Sequence, residues 1–173
     1  MALVPPLDAT PDVVRRLLAP LRNDFSVAIY NCQNAFAVGA IIRVAHSFLA
    51  REIFVVGEAP YYEKASMGME KYETIVVVKD DDELFARVEG RPVWAVEKDH
   101  ARRSVYGVHE FPKDVVFFVG SERAGLPRGV IERADEIIAI PMYGVNHSFP
   151  VTVAAGIVMS EWARRHYREG ATL

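Results

Sequence analysis

Apolar residues along this chain arrive in two rhythms. Short, nearly continuous runs, such as Phe54-Val-Val, Ile75-Val-Val-Val and Val115-Val-Phe-Phe-Val-Gly120, are separated by longer stretches in which apolar positions recur at helical spacing. A run that does not alternate with polar residues suits a strand covered on both faces, as in a parallel sheet. The pattern predicts strands at residues 25–30, 52–57, 74–78, 92–97, 115–120 and 136–140. It predicts helices at residues 11–21, 34–50, 81–88, 128–134 and 148–168. Val13, Val14, Leu17, Leu18 and Leu21 mark the first helix, with Thr10 as a candidate cap; Ser148 is the candidate cap of the last, with Pro150 in its first turn. Strands separated by helices define an α/β fold, a mostly parallel sheet flanked by helices, with active groups expected at the carboxyl ends of strands. Residues 60–71 read as a flexible surface loop.

Composition narrows this picture. The 173 residues are 51% hydrophobic and 25% charged, which suits one domain with a single core and does not suit a disordered chain. The one cysteine, Cys32, precludes an internal disulfide or a cysteine-based metal cluster. His46, His100, His109, His147 and His166 show no ligand-like spacing, so no metal is expected. No stretch approaches the roughly 20 apolar residues that span a bilayer, and no basic start with an apolar run opens the chain. The expectation is a cytoplasmic protein without a membrane partner. With a net charge of −3, any nucleic acid must be met by a local basic patch, completed if need be by a second subunit.

Three segments concentrate Gly, Pro and polar residues at the ends of apolar strands. In the first, Asn31 to Arg43, Gly39 permits close backbone approach and Arg43 projects from an otherwise apolar helix. A guanidinium there needs an anion, either a ligand or a structural carboxylate, because burying it unpaired is costly. The second, Val119-Gly-Ser-Glu-Arg-Ala-Gly-Leu-Pro127, has glycines spaced as in a phosphate loop, but Leu126 and Pro127 stand where Lys and Ser/Thr are required. It reads either as a backbone cradle for another adenosine-bearing ligand or as an ordinary turn. The third, Ile140-Pro-Met-Tyr-Gly-Val-Asn-His-Ser148, leads into a helix that is apolar on almost every side as far as Met159. Such a half-helix is core or an oligomer interface. Its second half, Glu161 to Arg168, turns basic and aromatic; that is either an RNA-facing patch or favourable placement of cations at a helix C-terminus.

Taken in order, these segments resemble the three motifs of the SpoU/TrmH family of RNA ribose methyltransferases, in the SPOUT superfamily. The resemblance lies in Gly39-Ala-Ile-Ile-Arg43-Val-Ala, in Gly120-Ser-Glu122-Arg-Ala-Gly125-Leu-Pro, and in Ile140-Pro-Met-x-Gly144 through Ser148 to Val-Ala-Ala-Gly. It extends over about residues 25–165. It implies a deep C-terminal trefoil knot, a homodimer, and S-adenosyl-L-methionine held by the knot loops, with Val96, Glu97, Gly120, Ile140, Ser148 and Phe149 lining its pocket. It implies methyl transfer to a ribose 2′-hydroxyl of tRNA or rRNA. Arg43 would be the central catalytic residue, Glu122 would position it or the loop, and Ser148 would contact substrate phosphate or the cofactor. Residues 1–24 would be an N-terminal helical extension and residues 25–173 the SpoU-type methyltransferase domain. Two positions depart from the family pattern: Ala37 and Pro150 stand where the motifs usually carry Asn. Asn31 and Asn34 lie near the first gap. The departures motivate an alternative, a catalytically weak member that binds RNA or cofactor without efficient transfer.

Overall fold

Seven strands, paired in parallel throughout, form one sheet in the order β3-β2-β1-β6-β4-β7-β5. They are β1 (Ser26–Tyr30), β2 (Ile53–Val56), β3 (Ile75–Val78), β4 (Val93–Val96), β5 (Arg103–Ser104), β6 (Val116–Val119) and β7 (Glu136–Ala139). The structure is a computed structural model and describes residues 8–30, 34–57, 61–121 and 123–167. Helices α1 (Pro11–Leu18), α2 (Ala35–Ser47), α3 (Glu63–Ser66), α4 (Asp81–Arg87), α5 (Arg128–Arg133) and α6 (Val151–His166) surround it.

The apolar runs become strands because both sheet faces are covered. Val27, Ile29, Val55 and Phe117 face one core with Val38, Ile41 and Ile42 of α2 and Val158, Met159 and Trp162 of α6. Their neighbours Ala28, Tyr30, Phe54 and Phe118 face the other, with Leu84 of α4 and Val130 of α5. Each fully buried side chain of this size is stabilised by about 1.5–3 kcal/mol over its exposed state. Asn34 starts α2, its side-chain oxygen accepting from the N–H groups of Phe36 (3.1 Å) and Ala37 (3.3 Å).

Two expectations need correcting, and one strand is added. Residues 61–72 are not a loop: α3 and a 3-10 turn, Met69–Tyr72, pack against α2. The segment is polar in sequence, yet Ala65 and Ser66 are buried, and the Ser66 hydroxyl donates to the Glu63 carbonyl (2.6 Å) while bonding the Glu70 carboxylate (2.5 Å). Strand β5 is an addition, too short and too polar to show a pattern. Ser148 does not cap the last helix. Pro150 holds the cap position at φ −52°, its carbonyl accepting from Val153 (2.9 Å) and Ala154 (3.0 Å), with no side-chain cap. Thr10 occupies its predicted cap position without making a side-chain bond.

One buried ion cluster braces α2. The Glu73 side chain is fully buried; Arg22 meets it at 2.7 and 3.1 Å, and His46 of α2 at 2.7 Å. Burial alone would push the Glu73 carboxyl up, but the hydrogen bonds from His46 and Arg22 outweigh it and hold the group below its ordinary value. A depressed carboxyl contributes stability above its unfolded pKa and loses it as pH falls through the folded one. Glu73→Gln is therefore expected to cost about 3 kcal/mol at pH 7, as for other broken buried pairs. Its deficit relative to wild type should shrink in strong acid, as urea unfolding at several pH values would reveal.

Candidate active site

At the carboxyl ends of β4, β6 and β7 lies a cavity of about 330 Å³, within the usual range of small-molecule sites. Val96, Val119 and Ile140 at the ends of the three strands supply apolar lining, and Phe149 and Val151 at the entry to α6 add to it. The glycines after β6 are required by the tight turn that follows the strand. A Cβ on Gly120 would stand 2.2 Å from the Gly125 carbonyl carbon and 2.6 Å from the Leu126 nitrogen. Gly125 lies at φ +63°, and a Cβ there would stand 2.5 Å from Glu97 Oε2. The loop between them is closed by the Gly125 N–H donating to the Ser121 carbonyl at 2.9 Å. The turn thus serves tight backbone contact and has none of the lysine chemistry of a phosphate loop.

The polar lining is partly committed. Glu97 accepts from the backbone N–H of Lys98 (2.8 Å) and, more weakly, of Leu126 (3.4 Å). Lys98 donates to the carbonyl of His147, joining the loop after β4 to the one before α6, and lies 3.9 Å from Asp99. Among the described residues, the imidazole of His147 and the hydroxyl of Ser148 have no hydrogen-bond partner, although both residues line the cavity and are exposed.

Val96, Glu97, Gly120, Ile140, Ser148 and Phe149 all line this one cavity. Glu122 lies outside the described residues, as does Asn31. Arg43 is elsewhere: it is exposed on α2 and does not line the cavity. Its side chain makes no ion pair among the described residues, which leaves the structural-carboxylate reading without support there. The glycine of its motif serves packing, since a Cβ on Gly39 would stand 2.4 Å from the Tyr62 carbonyl oxygen and 3.0 Å from Ala65 Cβ. Helix α2 is nonetheless coupled to the cavity wall: it packs on α6, and the Thr152 hydroxyl reaches the Ala37 carbonyl at 3.5 Å. Sequence reasoning missed Lys98, Asp99, Arg123 and His147 as lining residues. Arg123 and His147 were findable, each being next to a motif residue; Lys98 and Asp99 had only their place after a strand.

The basic end of α6 is largely structural, by a route other than the helix dipole. Arg165 donates to the carbonyls of Val108 (2.7 Å) and Val105 (3.2 Å), lies over the Phe111 ring at 4.3 Å and bonds Glu161; its side chain is only 9% exposed. Trp162 donates to the Pro112 carbonyl at 3.0 Å and stacks on His166. Among the described residues no cluster of three or more potential metal ligands occurs, and no helix is long and apolar enough to cross a membrane.

Both the sequence and the fold are matched by known proteins. A sequence model of the SpoU rRNA Methylase family matches residues 24–160, and the chain belongs to that family. It is 26% identical over 162 residues to the tRNA (guanosine(18)-2′-O)-methyltransferase of Aquifex aeolicus, covering 91% of this chain and 77% of the relative. It is 28% identical over 133 residues to the 23S rRNA (guanosine-2′-O-)-methyltransferase RlmB of Coxiella burnetii, covering 74% of this chain and 53% of that one. Among solved structures, the SpoU methyltransferase AviRb from Streptomyces viridochromogenes, in complex with AdoMet, superposes with a TM-score of 0.74 at 25% identity, over 83% of this chain and 58% of AviRb. The chain thus spans only a little over half of some relatives.

Proposed function

We propose that this chain is an S-adenosyl-L-methionine-dependent methyltransferase acting on a ribose 2′-hydroxyl of tRNA or rRNA. The observation that carries the reading is the convergence of all six expected cofactor positions on one cavity at the ends of β4, β6 and β7. The cavity's character suits such a ligand: apolar side chains for the faces of a base, exposed backbone at the glycine turn, and a carboxylate for hydroxyl or ammonium groups. Val96, Ile140 and Phe149 would hold the adenosine, Gly120 would admit it closely, and Ser148 would face the methyl donor or the incoming phosphate. The bound cofactor supplies an electrophilic methyl group. What the protein supplies is alignment of a ribose oxygen with that group and exclusion of competing water.

Arg43 serves as an electrostatic residue in this reading. A guanidinium stays protonated, so it orients substrate phosphate and stabilises developing negative charge on the 2′-oxygen. Glu122 is assigned the positioning of that arginine or of the loop after β6. Because Arg43 lies outside the cavity of its own chain, a second copy is the natural means of completing the site. Phe36 of α2 is 62% exposed and Val153 of α6 is 43% exposed, two apolar side chains on neighbouring helices that a homodimer would cover. The trefoil knot belongs to the same proposal, supported by membership of the SpoU family and by the insertion of β6 between β1 and β4. So do a cytoplasmic location, where tRNA and rRNA are met, and the division into a 1–24 helical extension and a 25–173 catalytic domain.

The test is incubation with tritiated S-adenosylmethionine and RNA from cells lacking this protein, with label expected in 2′-O-methylribose. Absence of both cofactor binding by calorimetry and label would sink the proposal. A second reading, cofactor or RNA binding without efficient transfer, is favoured by Ala37, which is 5% exposed and packed in the core, not poised to be replaced in function by an amide. Calorimetric binding without label would select it.

A further inference from the structure

An arginine that cannot give up its proton leaves the proposed reaction without a group to take one. Transfer of a methyl group to a hydroxyl must release the hydroxyl proton, and a positioned base with a titration near neutrality is the efficient acceptor. The described ionisable groups that line the cavity are few. Glu97 is held by the backbone N–H groups of Lys98 and Leu126, Lys98 is bound to the His147 carbonyl with Asp99 beside it, and Arg123 is a permanent cation. His147 remains. Its carbonyl is fixed by Lys98, which anchors the backbone, while its ring has no partner among the described residues. It sits next to Ser148, in the lining of the same cavity.

We propose that His147 is the general base of the methyl transfer, accepting the proton of the ribose 2′-hydroxyl. The inference rests on the methyltransferase reading above and adds a residue to it. The 2′-oxygen forms a bond to the methyl carbon as the carbon–sulfur bond of the sulfonium donor breaks, its electron pair returning to sulfur. The hydroxyl proton passes to the imidazole and then to water. The products are a 2′-O-methyl ribose, a neutral thioether and one proton. Arg43 and His147 then divide the work: the first stabilises charge on the oxygen and phosphate, the second removes the proton. Histidine suits the second part because the unprotonated nitrogen of a neutral imidazole can accept a proton and pass it on. The charged residues that line the cavity with it are Glu97, Lys98 and Asp99 from the end of β4 and Arg123 from the loop after β6. The first turn of α6 presents only Val151 and Ala154.

The experiment compares wild type with His147→Ala and His147→Gln. Single-turnover transfer to RNA from cells lacking the protein is expected to fall at least about a hundredfold in both, the usual contribution of a general base. The fall in rate should exceed any loss of affinity for S-adenosylmethionine, measured by calorimetry, because the ring makes no hydrogen bond among the described residues. The wild-type rate should rise with pH along a single-proton limb that disappears in His147→Gln, and added imidazole should partly restore His147→Ala. The His147 ring resonance, assigned by its absence in His147→Gln, should change its titration when RNA and S-adenosylhomocysteine are added. Near-normal transfer by His147→Ala, an unchanged pH limb in His147→Gln, or a resonance indifferent to RNA overturns this assignment alone. A wild-type chain that transfers nothing overturns it together with the reading on which it rests.

Discussion

Replacing Arg43 by alanine is expected to leave a protein that folds and binds S-adenosylmethionine as before but transfers methyl groups to RNA about 10²–10³ times more slowly. The magnitude is that of removing one donor aimed at developing negative charge. Three observations give the expectation its shape. Arg43 is exposed, so little packing is lost; it has no ion pair among the described residues, so no partner there is stranded; and it does not line the cavity, so cofactor contacts survive. Surface substitutions of this kind usually move stability by no more than about 0.5 kcal/mol. Arg43→Lys should recover only part of the rate, because a lysine keeps the charge and loses the planar fork that grips a phosphate. Single-turnover rates beside calorimetric affinities separate the two effects. An alanine variant with unaltered transfer would remove Arg43 from the mechanism.

Gly120→Ala should do the opposite, damaging the cavity itself. The added Cβ meets the Gly125–Leu126 peptide group, at 2.2 Å from the Gly125 carbonyl carbon, 2.4 Å from its oxygen and 2.6 Å from the Leu126 nitrogen. No rotamer change relieves contacts with main chain. The turn is also fixed by the Ser121–Gly125 bridge and by Glu97, so it moves as a unit or not at all. Overpacking of this kind costs about 3 kcal/mol, which for a chain of this size lowers the melting temperature by about 6–12 °C. The loop that shifts is the floor of the proposed cofactor site, and affinity for S-adenosylmethionine should weaken at least about tenfold. Gly129→Ala is the control. It lies in α5 with nothing within 4 Å of an added Cβ, and should be neutral or slightly stabilising. Equal melting temperatures for the two variants would show that the turn is looser than its geometry implies.

The sequence disclosed the strands well because their burial on both faces leaves a signature in the chain: unbroken apolar runs need no alternation. Three kinds of feature left none. The order of strands depends on which runs pair, and nothing in Val116–Val119 says that it sits between β1 and β4. Burial by a neighbour is equally silent: the polar segment around Glu63 and Lys64 is a helix because Ala65 and Ser66 close over Gly39. For the site, the glycines and the Ser148 region pointed to residues that line one cavity, since tight turns constrain residue type. That Arg43 stands apart from it, and that His147 lines it, depend on distances between segments that no spacing along the chain encodes.

The placement of β6 also sets a timetable. Ser26 of β1 pairs with Val116, ninety residues downstream, so one edge of the first strand stays open while β2 and β3 are already able to pair on the other side. Contacts between such distant segments close slowly, because the intervening chain must be confined before they gain anything. During synthesis the apolar edge of β1 is thus exposed until Val119 has emerged, a window in which it can pair with another chain. A chaperone that shields an unpaired β1 would be of most use to the nascent chain during that interval.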